Sequence, residues 1–238
     1  MRGTAILLQA RMGSTRLPGK SMRVLGGHTL VAHAIVRLQA SGYPVVLTTT
    51  EKPEDDVLVA AAESLGAHVF RGSELDVLDR YAQATRHFEL HRVVRATADN
   101  PAVDIDAVAR TLMLLDRTGA DHVVEHGLPY GAAVEAVRGS ALLRAAAMAT
   151  DPADREHVTP FLRGSSDFFA LAALAPGHLR RPGLRLTVDT EDDLAFVQKL
   201  LDAIGPANFP APLSAFIDVA DRLTWISNGS GTTRRGMR

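Results

Sequence analysis

Three cations fall within the ten residues from Arg11 to Lys20. Residues 8–20 read LQARMGSTRLPGK and set Arg11, Arg16 and Lys20 among Gly13, Ser14, Thr15 and Gly19. Arginine offers a planar fork for two oxygens, and lysine offers a compact point charge. Glycines let backbone N–H groups approach an anion closely. The segment suits a polyanion such as a phosphate chain. It equally suits a solvated loop, and composition alone leaves both open. A P-loop is excluded, because Gly13 and Gly19 are six apart, one too many, although Lys20-Ser21 follows. The dinucleotide fingerprint is excluded because no Gly-x-Gly occurs there. Asp99 and Asp189 are the second feature. Each is expected at the carboxyl end of a strand, where open α/β sheets bind ligands. Two carboxylates beside a phosphate loop make a Mg²⁺ site, since Mg²⁺ takes hard oxygens and shares them with substrate phosphates. Taken singly, Asp99 also reads as an Asx turn before Pro101, and Asp189 as a turn residue ahead of a helix cap at Thr190.

Composition sets the frame for this chemistry. The chain has 238 residues, 26 Lys+Arg against 27 Asp+Glu, and a formal net charge of −1. Hydrophobic residues make up 46% and charged residues 22%, which excludes a disordered chain. Near-zero net charge argues against a dedicated duplex nucleic-acid binder. The absence of cysteine excludes a disulfide framework, a thiol nucleophile and thiolate-bound zinc. No stretch approaches the roughly 18 apolar residues of a membrane span, and Arg11 interrupts the first apolar run, so no membrane partner and a cytoplasmic location are expected. Nine histidines are present, but no His-Glu-x-x-His.

Strand and helix patterns alternate along the chain. Apolar or β-branched runs at 4–9, 44–49, 67–70, 92–97, 121–125, 132–137, 168–173 and 184–188 read as strands. Helical spacing covers 29–40, 55–65, 76–88, 104–116, 139–149, 155–162 and 190–203, with Ser73/Asp76 and Thr190/Asp193 in capping-box spacing. A further helix is expected around 215–223, packed with Trp225. Strands separated by 10–15-residue helices predict one α/β domain over 1–228 with a mostly parallel, partly mixed sheet. The polar tail 229–238, GSGTTRRGMR, is expected to be disordered.

The loop ARMGSTRLPGK resembles the signature of cytidylyltransferases related to acylneuraminate and 3-deoxy-manno-octulosonate CMP-transferases, in particular their spore-coat polysaccharide (SpsF-like) branch. Further resemblances follow in order: Gly26–Leu30 (GGHTL), Thr48–Asp56 (TTTEKPEDD), Val69–Tyr81 (VFRGSELDVLDRY), Arg95–Pro101 (RATADNP), Arg155–Phe161 (REHVTPF) and Leu186–Asp193 (LTVDTEDD). Together they cover about residues 4–200. The resemblance implies a Rossmann-like three-layer α/β/α, GT-A-like fold. It implies transfer of CMP from CTP to a small acceptor, with an acceptor oxygen attacking the α-phosphorus in line and pyrophosphate leaving. It implies Mg²⁺ held by Asp99 and Asp189. Arg11, Arg16 and Lys20 would face the phosphates, with Lys20 best placed for transition-state charge. Leu8, Ala10, Gly13, Ser14, Arg71, Ser73 and Thr97 would border the nucleotide. A homodimer is also implied.

The chain departs from the family near the acceptor. Where members carry Pro-Asp-Gly-Leu-Asp-Val-Glu, it has Pro129-Tyr130-Gly131-Ala132-Ala133-Val134-Glu135, so two aspartates are replaced and Glu135 stays. Losing two negative charges favours an anionic acceptor and removes partners for sugar hydroxyls. Two acceptor classes follow, a sugar acid or sugar phosphate and a small phosphonate. Tyr130, Glu135, Arg155, Glu156 and His157 are the acceptor-side candidates, although His157 also suits helix packing. Two other readings stay open. A glycosyltransferase would hold metal through Asp-x-Asp, which Asp104-Ile105-Asp106 matches, although that pair also reads as a helix start. The third reading is a non-catalytic nucleotide-binding module.

Overall fold

The computed structural model describes residues 3–14 and 16–229, with side chains in the last helix described to Leu223. Its strands are β1 (Thr4–Gln9), β2 (Val24–Leu25), β3 (His28–Thr29), β4 (Val45–Thr50), β5 (His68–Gly72), β6 (Arg92–Thr97), β7 (His122–His126), β8 (Glu135–Arg138) and β9 (Ala170–Leu174). Its helices are α1 (Leu30–Gln39), α2 (Asp56–Ser64), α3 (Val77–His87), α4 (Ile105–Thr118), α5 (Gly139–Met148), α6 (Pro152–His157), α7 (Pro160–Gly164), α8 (Glu191–Ile204) and α9 (Leu213–Gly229). Seven strands form one sheet in the order β5-β4-β1-β6-β8-β7-β9. The first four are parallel, β8 is antiparallel to β6 and β7, and β9 is parallel to β7.

Alternation along β1 explains the layers. Ile6 and Leu8 pack with Val31, Ile35, Leu58 and Val108 from α1, α2 and α4. Ala5 and Leu7 face the other way, onto Leu78, Tyr81, Leu142 and Leu162 from α3, α5 and α7. A strand apolar on both faces is the mark of a sheet covered by helices on both sides. The expected three-layer, partly mixed architecture is therefore present.

The path of the chain fixes where a ligand belongs. It runs outward from β1 to β4 and β5, then returns to place β6 on the other side of β1. That reversal opens a crevice between the carboxyl ends of β1 and β6, where Gln9 pairs with Thr97. The cationic loop leaves β1 at this point. Its start is anchored by the buried Asp55, whose Oδ1 accepts from Met12 N at 2.7 Å. The other oxygen accepts from the Thr49 and Thr50 hydroxyls and from Thr50 N at 2.8, 2.6 and 3.1 Å. Burial alone would raise the Asp55 carboxyl, but donors from Thr50, Met12 and Thr49 outweigh it and hold it below its ordinary range.

Several boundaries differ from the sequence expectation. Residues 184–188 form no strand; one bridge joins Arg185 to Tyr130, because the segment follows Pro182-Gly183 and its backbone bonds go to Arg181, Tyr130 and Asp99 rather than to a continuous neighbouring strand. The helix expected at 155–162 is two helices. Val158 turns to φ 73, and Pro160 has no N–H to carry the i→i−4 bonds across the break. Asp76, not Ser73, caps α3, accepting from Asp79 N at 2.9 Å, while Ser73 Oγ accepts from Asp76 N. Thr190 and Asp193 do form the expected capping box. The β2–β3 hairpin was not foreseen; Gly26 and Gly27, at φ 52 and 88, supply its two-residue turn. The Trp225 side chain and residues 230–238 lie outside the described residues.

Asp55→Asn tests the anchor. A carboxyl depressed in the fold stabilises above its unfolded pKa, and that contribution is lost as pH falls through the folded value. Urea unfolding should show the full gap between wild type and variant at pH 6, closing below about pH 4. A gap that stays constant to pH 3 would contradict the role.

Candidate active site

The crevice holds a cleft of about 260 Å³. It brings together Ala10, Arg11, Gly13, Ser14, Arg16, Lys20, Thr97, Asp99 and Asp189, nine of the residues singled out in the sequence. Its centre is Lys20. The short turn Lys20–Met22, entered through Gly19 at φ 65, points the Lys20 side chain back into the cleft. Its Nζ donates to Asp99 Oδ2 at 2.8 Å, Asp189 Oδ1 at 2.9 Å and the Val188 carbonyl at 3.2 Å. Burial opposes the ammonium charge, but Asp99 and Asp189 outweigh it and hold Lys20 above its ordinary pKa.

Each carboxylate is fixed by its own segment. Asp99 lies in the turn after β6, and Thr97 Oγ1 donates to its Oδ1 at 2.6 Å. Asn100 Nδ2 donates in turn to Thr97 Oγ1 at 2.8 Å. Asp189 sits two residues before α8. Arg16 and Arg185 approach its two oxygens at 3.2 and 2.7 Å. Arg185 also donates to Asp193, which accepts from the backbone N–H of Asp189 and Thr190. Burial opposes the Asp189 charge, and bonds from Lys20 and Arg185 with the charge of Arg16 hold its pKa below the usual carboxylate range. Backbone joins the two arms, since Val188 N donates to the Asp99 carbonyl at 2.8 Å.

Arg11 lines the cleft and has no ion-pair partner among the described residues. Arg11, Arg16 and Lys20 against Asp99 and Asp189 leave 3 − 2 = +1 formal charge facing the cleft. Such a balance suits a polyanion arriving with a divalent cation. Among the described residues no group of three or more His, Asp or Glu could hold a metal. The two aspartates are hard oxygen donors of the kind Mg²⁺ takes, and phosphate and water would complete its shell.

Other sequence candidates sit elsewhere. Leu8 is fully buried in β1. Arg71 is spent on Thr50 O, Lys52 O and Asp56, binding β5 to the segment before α2. The Ser73 carbonyl accepts from Arg80. Arg155 grips the α3 cap Asp76 and the carbonyls of Ala146 and Ala149. Glu135 is half-buried between Arg95 and His122, at 2.7 and 2.6 Å. Burial opposes its charge, but Arg95, His122 and Thr159 hold it well below its ordinary pKa. Glu156 and His157 are exposed on α6. Tyr130 borders the cleft indirectly, with the Arg185 guanidinium 5.0 Å from its ring centre. Asp104 caps α4 and pairs with Arg110, as its place at a helix start suggested, and does not line the cleft.

The sequence reading missed Gln9, Ser21 and Arg185. Gln9 ends β1, and its buried Oε1 has no hydrogen-bond partner. Only strand parity could have flagged it. Arg185 is four residues before Asp189, a spacing that carries no signal outside a helix.

This fold and cleft define a nucleotidyltransferase of the Rossmann-like class. A profile of the cytidylyltransferases matches residues 5–208. The chain is 33% identical to the spore coat polysaccharide biosynthesis protein SpsF of Bacillus subtilis, over 86% of this chain and 89% of that one. The structure of a cytidylyltransferase from Leptospira borgpetersenii superposes with a TM-score of 0.84 at 28% identity, over 99% of both chains. CMP:2-keto-3-deoxy-manno-octonic acid synthetase, solved in complex with CTP, shares the fold with a TM-score of 0.62 at 16% identity, over 84% of this chain and 98% of that one. The chain belongs to the cytidylyltransferase family, and is a CTP-dependent nucleotidyltransferase.

Substitution separates Asp99 from the Asp-x-Asp pair. Asp99→Ala should lower steady-state pyrophosphate release from CTP by about 10³-fold. Asp104→Ala should leave the rate within about threefold while lowering stability by about 1–2 kcal/mol through the lost cap. The reverse order of effects would contradict the placement.

Proposed function

We propose that the enzyme transfers CMP from CTP to a small anionic acceptor, using Mg²⁺ held by Asp99 and Asp189. The observation carrying this reading is Lys20 Nζ, within 2.9 Å of both carboxylates at the floor of a cleft otherwise edged by arginines. When bound, the metal would supply charge neutralisation at the phosphates. The chain's own groups do the rest. Arg11 and Arg16 hold phosphate oxygens, and glycine backbone at Gly13 lets its N–H approach them, while the Ser14 N–H is donated to Met12 O. Lys20 moves from its carboxylates to charge developing on the leaving pyrophosphate, a short displacement that needs no reorganisation of the backbone. The acceptor oxygen is then aligned in line with the α-phosphorus.

The acceptor is read from the charges near Asp189. Arg185 stands between that carboxylate and Tyr130, where family members have an aspartate. With Ala133 replacing the second aspartate, neither position adds a carboxylate to the acceptor side, and Arg185 offsets the charge of Asp189 and Asp193 there. A small phosphonate or a sugar acid meets less repulsion at such a site. A neutral sugar would lose the hydroxyl partners that the aspartates supply. The homodimer belongs to the same proposal, supported by exposed Phe169 and Leu174 at and beside the edge strand β9; a protomer's mass in sedimentation would overturn it.

Phosphorus NMR tests the reaction. Protein, CTP and Mg²⁺ are offered small phosphonates in one pool and sugar acids or sugar phosphates in another. The expected result is pyrophosphate with a new CMP-linked resonance in at least one pool. A phosphonate–phosphate anhydride signal selects the phosphonate acceptor, and a CMP–sugar signal selects the sugar acceptor. Transfer to neutral sugars alone would contradict the anionic acceptor. Silence in every pool would contradict the transfer reaction for these acceptors.

A further inference from the structure

A second cavity lies away from the cleft, between α1, the β2–β3 turn, the end of α8 and the start of α9. Its volume is about 210 Å³, and most of its lining is apolar, with Leu201, Ile204, Phe209 and Phe216 as walls. An apolar cavity of about 150 Å³ is enough for benzene, so one ring with a substituent fits here and a nucleotide does not.

Two polar side chains one turn apart on α1 line this cavity, and both are 1% exposed. His33 Nε2 is 2.7 Å from the Leu25 carbonyl, which can only accept, so the proton is on Nε2. Nδ1 is then a lone-pair acceptor, and it is buried without a partner. Burial, with help from His28 and Arg37, lowers the His33 pKa and keeps the ring neutral. Arg37 donates three N–H bonds, two to the Val103 carbonyl and one to that of Ala211. A guanidinium has five N–H groups, so two remain, and no carboxylate among the described residues pairs with it. Its hydrogen bonds go only to carbonyls, and the Phe216 ring lies 5.2 Å from the guanidinium carbon; Asp104 acts on the charge from a distance, and Asp202, bonded to Gln198, lines the cavity. The rim is aromatic as well, with His28 stacked on Phe209 at 4.3 Å.

An orphan acceptor beside a cation with spare donors selects the ligand's head group. An ammonium would satisfy His33 but is repelled by Arg37. A carboxylate would satisfy Arg37 but sets its lone pairs against Nδ1. A hydroxyl can donate to one and accept from the other. We propose that this cavity is a second ligand site, for a small aromatic molecule bearing one hydroxyl group, with His33 Nδ1 as acceptor and Arg37 as donor. The proposal is independent of the reaction in the cleft, because none of these residues lines that cleft.

The probes are phenol, benzene, benzoate and benzylamine, each titrated into the intact protein by saturation-transfer NMR, with the ¹⁵N resonance of His33 Nδ1 followed separately. Phenol should bind saturably and shift Nδ1 in the direction of a hydrogen-bonded nitrogen. Benzene, benzoate and benzylamine should each bind about tenfold more weakly or worse, the worth of one buried hydrogen bond. Ile204→Trp, which fills the cavity, should abolish phenol binding while circular dichroism and CTP turnover stay unchanged. Should that variant fold poorly, the Nδ1 shift in the native protein decides alone. Equal binding of benzene, an unmoved Nδ1 resonance at phenol saturation, or no saturable binding would each overturn the proposal.

Discussion

One ammonium group sits between two carboxylates that the chain brings from ninety residues apart, Asp99 and Asp189. Lys20 closes the cationic loop, Asp99 lies in the turn after the central strand β6, and Asp189 introduces α8. Without the lysine, two carboxylates able to share one cation would face each other in a partly buried crevice. Breaking such a partly buried pair costs on the order of 1–3 kcal/mol, so the arrangement helps fix loop, turn and helix relative to one another. Supporting bonds serve the same point. Thr97 orients Asp99, Arg185 and Asp193 orient Asp189, and Asp55 anchors the loop at Met12.

This tie also prepares the cleft for its substrate. In the proposed reaction, two fixed carboxylates hold a cation in place before any nucleotide arrives, and Arg11, with no ion-pair partner among the described residues, is left to meet phosphate. Pre-arranged charges of this kind contribute most when the charge they meet develops during reaction. On the flank proposed for the acceptor, Tyr130 and Ala133 carry no charge. There Arg185 stacks against Tyr130 and still reaches Asp189.

Much of this was legible in the sequence. The loop composition and Asp99, in the turn after β6, identified most of the cleft, because strand ends and loops are local features; Asp189 was expected at a strand end and instead lies in the turn ahead of the Thr190 cap. The helices with strong caps, at Thr29, Asp104 and Thr190, begin where the capping residues indicate. What failed was non-local. Arg155 and Glu135 belong to recurring motifs, yet each is committed to partners supplied by other elements, Asp76 for the first and Arg95 with His122 for the second. Arg71 is consumed in the same way by the segment before α2. A charged residue in a motif does not reveal whether it faces a ligand or a packed neighbour. Residues 184–188 have strand composition, but only pairing makes a strand, and Tyr130 offers a single bridge.

The most direct test of the account follows the metal rather than the product. Electron paramagnetic resonance of Mn²⁺, titrated with and without CTP, reads binding at the two carboxylates themselves. With Lys20 occupying both aspartates, the account predicts weak Mn²⁺ binding to the free protein. CTP should tighten it sharply, and Asp99→Asn should remove that gain. Mn²⁺ bound equally well without nucleotide, or a full gain retained in Asp99→Asn, would contradict the central role given to Asp99, Asp189 and Lys20.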